Sequence, residues 1–210
     1  MTSAVATEAP IEIEQITVGA DPAAWRGAGF AIEGDATRAG EVGLRFVVGE
    51  GMIGWRLSRD TGQIDGLPLA APDDPPAVAG PHPNGVTQID HLVVFTPDLE
   101  RTTRALEEVG KERRRVREVG TEDRPLRQGF FRLGEVILEV VEHARIEDGP
   151  ARFWGITFAV KDLEAAAELL GGRLGSIRDA VQPGRRIATV RREAELGLPV
   201  ALISADQRRR

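Results

Sequence analysis

Apolar and polar positions alternate along most of this chain in short runs broken by Gly and Pro, and between residues 86 and 205 one order of runs occurs twice. Asp90-His91-Leu92-Val93-Val94-Phe95-Thr96-Pro97-Asp98-Leu99-Glu100 lies over Trp154-Gly155-Ile156-Thr157-Phe158-Ala159-Val160-Lys161-Asp162-Leu163-Glu164, an offset of 64 residues. Each run reads as a β-branched strand that leads straight into a helix. Thr96 is placed to cap the first helix, with Pro97 at its first position, where the missing N–H costs nothing. Leu99, Leu106 and Val109 then follow at helical spacing, and Gly110 ends the helix. Leu163, Ala167 and Leu170 do the same before Gly171-Gly172. Three strand-like runs follow each helix, at about 113–119, 128–133 and 136–142, then at 174–181, 186–191 and 199–204. The pattern predicts β-α-β-β-β, twice, and hence paired similar modules.

A weaker copy precedes them. Residues 13–18 alternate as a strand, 21–25 open a short helix, and 30–33, 43–48 and 52–57 read as further strands. Trp25, Phe30, Phe46 and Trp55 give this part too much aromatic content for a disordered tail. The stretch 68–85 is dense in Pro and Gly and predicts an extended linker, and a weaker break lies at 147–150. The expected units are a truncated module at 11–67, the linker 68–85, and modules at 86–146 and 151–205. An unpaired half-module would leave apolar strands bare, so the first unit should cap a sheet edge or pair with a partner chain.

Composition narrows the chemistry. Of 210 residues 41% are hydrophobic and 29% charged, as in an ordinary globular protein, and the net charge of −6 argues against general nucleic-acid binding. Arg208-Arg209-Arg210 reads as a solvated tail. No apolar run approaches the ~18 residues of a membrane span. Residues 1–6 lack the basic and apolar regions of a secretory signal, so a cytoplasmic protein is expected. There is no Cys and no Tyr, which removes disulfides, thiolate metal sites and thiol or phenol catalysis. Only His82, His91 and His143 are available for imidazole chemistry.

The tandem β-α-β-β-β pattern with Asp-His-Leu-Val-Val opening one copy resembles the vicinal oxygen chelate superfamily, which includes glyoxalase I, bleomycin-resistance proteins, extradiol dioxygenases and methylmalonyl-CoA epimerase. The resemblance covers about 87–205 well and the first unit by pattern only. It implies an α+β fold in which paired modules form curved, mixed sheets around a cleft. It also implies a metal ligand, usually His or Glu, on the first and last strand of each module. His91 and Glu139 match two of those positions, but Gly155 and Ala201 occupy the other two. In the first unit the corresponding positions hold Gln15 and about Trp55. His143 is the one nearby reserve, yet it lies about 13 Å along the strand from Glu139 at ~3.3 Å per residue, too far to share an ion without a kink. Catalytic metals of this kind usually take three or more protein ligands, so no metal cofactor is expected unless water or a substrate completes the shell.

Two function classes follow. One is a protein that binds a small organic molecule in a cleft with a degenerate metal site, where His91 and Glu139 interact and can still do acid–base work. The other is a metal-dependent lyase or isomerase that acts through an enolate-like intermediate. A structural His91–Glu139 pair is the plain alternative to both. Gln128, Phe130 and Trp154 are candidate lining residues, with core packing or a module interface as the alternative. Arg186 is a candidate to grip an anionic group, with a solvated face as the alternative. The partners expected are a small-molecule ligand and a second copy in a homodimer, with neither nucleic acid nor membrane.

Overall fold

The computed structural model describes residues 10–70, 80–121, 124–143 and 148–205. The N-terminal residues, most of the Pro-rich stretch and the arginine tail lie outside them. In the first unit β1 (Ile13–Gly19) leads into α1 (Pro22–Gly27), followed by β2 (Ala36–Ala39), β3 (Val42–Val47) and β4 (Gly51–Leu57). The second unit runs β5 (Val86–Thr96), α2 (Leu99–Glu108), β6 (Arg115–Thr121), β7 (Arg124–Leu133) and β8 (Val136–His143). The third runs β9 (Arg152–Val160), α3 (Leu163–Leu170), β10 (Arg178–Asp179), β11 (Arg186–Thr189) and β12 (Val200–Ser204). Among the described residues no helix is long and apolar enough to cross a membrane.

α1 opens where the sequence places it, at Asp21-Pro22, whereas α2 starts two residues later than the pattern suggests. Thr96 does not cap α2. Its hydroxyl takes the Asp98 N–H at 3.1 Å in a tight turn, and the Asp98 carboxylate caps the helix by accepting from the Arg101 N–H at 2.9 Å. Asp162 and Asp21 cap α3 and α1 in the same way. A short carboxylate satisfies an early helical N–H and favours the positive end of the helix, which a proline ring cannot do.

The last two units build one sheet of eight strands in the order β10-β11-β12-β9-β5-β8-β7-β6. Within each unit the first and last strands are parallel, with Val93 opposite Glu139 and Thr157 opposite Ala201. The two first strands, β5 and β9, run antiparallel at the centre, with His91 opposite Thr157 and Val93 opposite Gly155. That register relates the two units by a local two-fold. β10 is only two residues long, well short of the run expected at 174–181.

The first unit forms a separate sheet in the order β2-β3-β1-β4. No strand forms over 30–33 beyond a single bridge from Glu33 to Ala36. The strand parallel to β1 is β3, whereas β4 is antiparallel to β1 on its other side. β4 is therefore not the last strand of a module but stands where β9 stands beside β5. The chain continues the analogy, because the Trp55 N–H donates to Pro68 O at 3.1 Å and Leu69 bridges in parallel to Trp55. In the large sheet the Ile156 N–H donates to Pro199 O at 3.0 Å and Val200 pairs in parallel with Ile156. Gly66-Leu67-Pro68-Leu69-Ala70 even matches Gly197-Leu198-Pro199-Val200-Ala201 in sequence. Residues 51–70 are thus a fourth module reduced to its first and last strands.

The two sheets share one apolar core. Trp25 is fully buried between Phe30, Phe46 and Phe158, with ring centroids 4.8–6.0 Å away, and its indole N–H donates to Leu196 O at 3.1 Å. Trp55 meets Phe153 edge-on at 5.1 Å. At the rim, Asp65 takes Arg101 at 2.7 Å and the Thr102 hydroxyl at 2.5 Å. The first unit thus packs on the back face of the eight-stranded sheet of its own chain. Trp25→Ala removes a ring that touches both sheets and should cost about 3–5 kcal/mol. Urea unfolding should show that loss in a single transition for the whole chain; a loss below about 1 kcal/mol, or separate transitions for the two sheets, would contradict the shared core.

Candidate functional site

The front face of the eight-stranded sheet carries the cleft, and an irregularity in β5 sets its chemistry. Ile89, Leu92 and Val94 all face the core. The three-residue step from Ile89 to Leu92 marks a bulge, seen as a register shift against β9 between Ile89 and His91. The extra residue brings Asp90 onto the same face as His91 instead of the opposite one. Asp90 Oδ2 then accepts from His91 Nδ1 at 2.9 Å, and Asp90 Oδ1 meets Arg185 Nη1 at 2.7 Å. Arg185 is itself held by Ser204 O at 2.8 Å. Burial works against the charge on Asp90, but the His91 N–H and the Arg185 guanidinium outweigh it and hold the carboxyl below its ordinary range.

With Nδ1 committed to Asp90, the imidazole turns Nε2 towards Glu139, whose Oε2 stands 3.9 Å away. Glu139 Oε1 accepts from Gln128 Nε2 at 2.5 Å. Burial pushes the Glu139 carboxyl above the ordinary range, against the pull of His91, of the Arg117 charge and of the Gln128 donor. Gln128 Oε1 is buried without a hydrogen-bond partner. The site therefore holds a carboxyl biased towards its protonated form, an oriented imidazole and an unused amide acceptor.

His91, Gln128 and Glu139 line two joined hollows. One of about 310 Å³ is walled by Phe95 and Trp154, whose rings stack at 5.1 Å, and the other of about 420 Å³ reaches Phe130 and Arg117. Trp154 is 45% exposed, and a second register shift, between Val93 and Val94 against Gly155 and Phe153, brings it to the front face. The structure thus brings His91, Glu139, Gln128, Phe130 and Trp154 together. Arg186 is not brought there. It shares a strand face with Ala188, which is buried in the core, and its guanidinium pairs with Glu164 on α3. The inward arginine is its neighbour Arg185. The His143 side chain lies outside the described residues.

Sequence reasoning missed Asp90 and Arg185, because strict alternation sends Asp90 to the back of the sheet. The signal was present in the apolar spacing at 89, 92 and 94. The same spacing at 13, 16 and 18 accompanies a like shift in β1 and puts Gln15 where β5 has His91. The counterpart of Glu139 in the first unit is Arg45, opposite Thr17, and not Trp55, which faces the core.

The four positions at which the sequence resemblance led us to expect metal ligands are His91, Glu139, Gly155 and Ala201. Two supply donors and two supply none. Asp90 has both oxygens engaged, and among the described residues no group of three His, Cys, Asp or Glu is disposed to hold an ion. Gly155 is also sterically closed, since a Cβ there would stand 2.6 Å from Pro199 O. The residues present do not fit a four-ligand chelate.

No family model and no curated protein matches the chain. Solved structures do. 4-Hydroxymandelate synthase from Streptomyces coelicolor (a mutant form) aligns over 94% of this chain and 93% of its own at 13% identity, with a TM-score of 0.64. Methylmalonyl-CoA epimerases from Mycobacterium tuberculosis and Streptomyces coelicolor align over 59% and 58% of this chain and 91% and 96% of their own. Their identities are 16% and 20%, and their TM-scores 0.47 and 0.46. The likeness to the synthase shows the fold, an α+β fold of curved mixed sheets of the type that the sequence resemblance implied. The alignment with the synthase extends across both sheets of this chain.

Because the Pro199 carbonyl fills the space beside Gly155, adding a side chain there must displace β12. Gly155→Ala should cost about 1–3 kcal/mol, as overpacking does. Gly155→His should destabilise at least as much and gain no Zn²⁺ affinity by calorimetry. A variant that binds zinc with unchanged melting temperature would show that the position is open.

Proposed function

We propose that this protein binds a small oxygenated organic molecule on the front face of the eight-stranded sheet without a divalent metal. In this reading Phe130 and Trp154 wall the ligand, Gln128 and His91 hydrogen-bond its oxygens, and Glu139 exchanges a proton or hydrogen bond with it. The observation that carries the reading is the Glu139 carboxyl. It is largely but not fully buried, displaced towards its neutral form, fixed on one oxygen by Gln128, and open on the other across a 3.9 Å gap to His91. A buried carboxyl set this way destabilises the fold when ionised, which is the usual mark of a group kept for a ligand.

The same gap supports a catalytic form of the proposal. A carbon acid held between the two groups would give its proton to the Glu139 carboxylate while the oxygen that gains charge is met by a donor, and a proton returned to the other face would complete an isomerisation. Asp90 and Arg185 act as positioning residues for His91. The metal-dependent lyase or isomerase reading is the weaker one, because two of the four donor positions lack a donor.

Two measurements test the proposal. Trp25 and Trp55 are buried and Trp154 is half exposed, so quenching of fluorescence by small carbonyl compounds, compared with Trp154→Phe, reads occupancy of the cleft. Saturable quenching that is lost in Trp154→Phe and weakened at least tenfold in His91→Ala is expected. Quenching that is unsaturable or indifferent to both variants would refute the site. The second measurement is stability against pH. A carboxyl whose folded pKa is raised contributes stability that is present below its unfolded pKa and is lost as pH rises through the folded value. Glu139→Gln should therefore raise Tm by about 2–4 °C at pH 8 and change it little at pH 4, as about 1 kcal/mol does in a chain of this size. An equal shift at both pH values would show that the Glu139 charge is not under strain.

A further inference from the structure

Arginines are sorted by side on the outer strands of the large sheet. On the back, facing α2, Arg113 and Arg127 both pair with Glu100, at 3.0 and 2.6 Å. On the front, Arg115 and Arg117 point the other way, in register with Phe130 and Gln128. Neither makes an ion pair with any carboxylate among the described residues, and Arg114 beside them makes none either. Together with Arg132 they line a cavity of about 570 Å³ whose remaining walls include Phe130, Ile137 and the turn Val181-Gln182-Pro183. Phe130, Arg117, Val181 and Gln182 also line the hollow that contains His91 and Glu139, so the two spaces are continuous. In a chain with 33 acidic residues and a net charge of −6, these three neighbouring guanidiniums repel one another, and among the described residues the Glu139 carboxyl lies within their field, acted on by Arg117 from a distance without an ion pair.

We propose that this end of the cleft binds an oxyanion carried by the ligand, of the phosphate or dicarboxylate class. Arg115 and Arg117 form its floor and Arg114 its rim. Planar guanidiniums grip such groups in pairs, and a dianion offsets the local repulsion as a single carboxylate does not. The inference rests on the cleft reading above and adds a length to it. Arg115, Phe130 and Glu139 are neighbours on three adjacent strands, so at ~4.8 Å per strand the oxyanion lies about 10 Å from the carboxyl. The ligand is then an elongated molecule with its charge at one end and its oxygenated, reactive part at the other. Phe130 separates the two.

The test uses the full chain with inorganic pyrophosphate and with succinate, titrated calorimetrically at ionic strength held constant with sodium chloride. Saturable binding of pyrophosphate, succinate or both, at or below about 1 mM, is expected, and the preferred anion tells a phosphate source from a carboxylate one. Arg115→Gln combined with Arg117→Gln should weaken it at least tenfold, with Arg115→Gln alone as the fallback if the pair does not fold. Arg104→Gln, on the exposed side of α2, should leave it unchanged. Absence of binding for both anions, or equal loss in the Arg104 control, overturns the oxyanion site. Because Glu139→Gln should retain anion binding, the outcomes separate. Anion binding lost with Trp154 quenching intact sinks this site alone, and the reverse sinks the cleft reading alone.

Discussion

The antiparallel joint between β5 and β9 governs this molecule. It joins two parallel-ended units into one sheet, sets the local two-fold, and carries the shifts in register that decide which side chains reach the front. A regular strand at 86–96 would place His91 on the front and Asp90 behind it, in the core, where a lone carboxylate is untenable. The bulge removes that conflict. It puts both residues on one face, where Arg185 supplies the opposite charge and the imidazole acquires a fixed orientation. Local backbone geometry, fatty core spacing and site electrostatics are here the same fact seen at three scales.

The first unit repeats the joint in reduced form. β1 and β4 pair as β5 and β9 do, with matching shifts, and the Pro68 carbonyl approaches Gly54 as the Pro199 carbonyl approaches Gly155. In both places a side chain on the glycine would collide with the backbone of a parallel neighbour. What the first unit lacks is the chemistry. Gln15 and Arg45 stand where His91 and Glu139 stand, and the Gln15 amide is fully buried with neither of its polar atoms bonded. The unit keeps the framework of a module and serves as the back wall of the large sheet.

Much of this was legible in the sequence. The repeat at 64 residues located β5, α2, β9 and α3, because β-branched runs followed by a capped apolar helix leave few alternatives. His91 and Glu139 were reached through the family resemblance, and Gln128 and Phe130 through period-two alternation on one strand, whereas Trp154 was a candidate only as the neighbour of Gly155, and it reaches the front because of the second register shift between β5 and β9. The misses share one cause. Alternation has no place for an extra residue, so Asp90 was sent to the wrong face. β4 was read as the end of one module when it begins another, since strand direction is set by long-range pairing that local pattern does not encode. Arg186 was preferred to Arg185 although both were visible, because nothing in the sequence said that Asp90 would need a cation.

The position of Phe158 ties the back of the molecule to the front. Its ring is clasped by Trp25 and Phe30 of the first unit, while its neighbours Thr157 and Ala159 belong to the front face, and Thr157 is the residue opposite His91. The floor of the cleft is thus one strand thick, and its stiffness is borrowed from an aromatic cluster behind it. Amides of β9 should then open only when the two sheets part, so fluctuations of the first unit set a ceiling on how rigidly His91 can be held. A unit without acid–base groups of its own would in this way control the precision of those it supports.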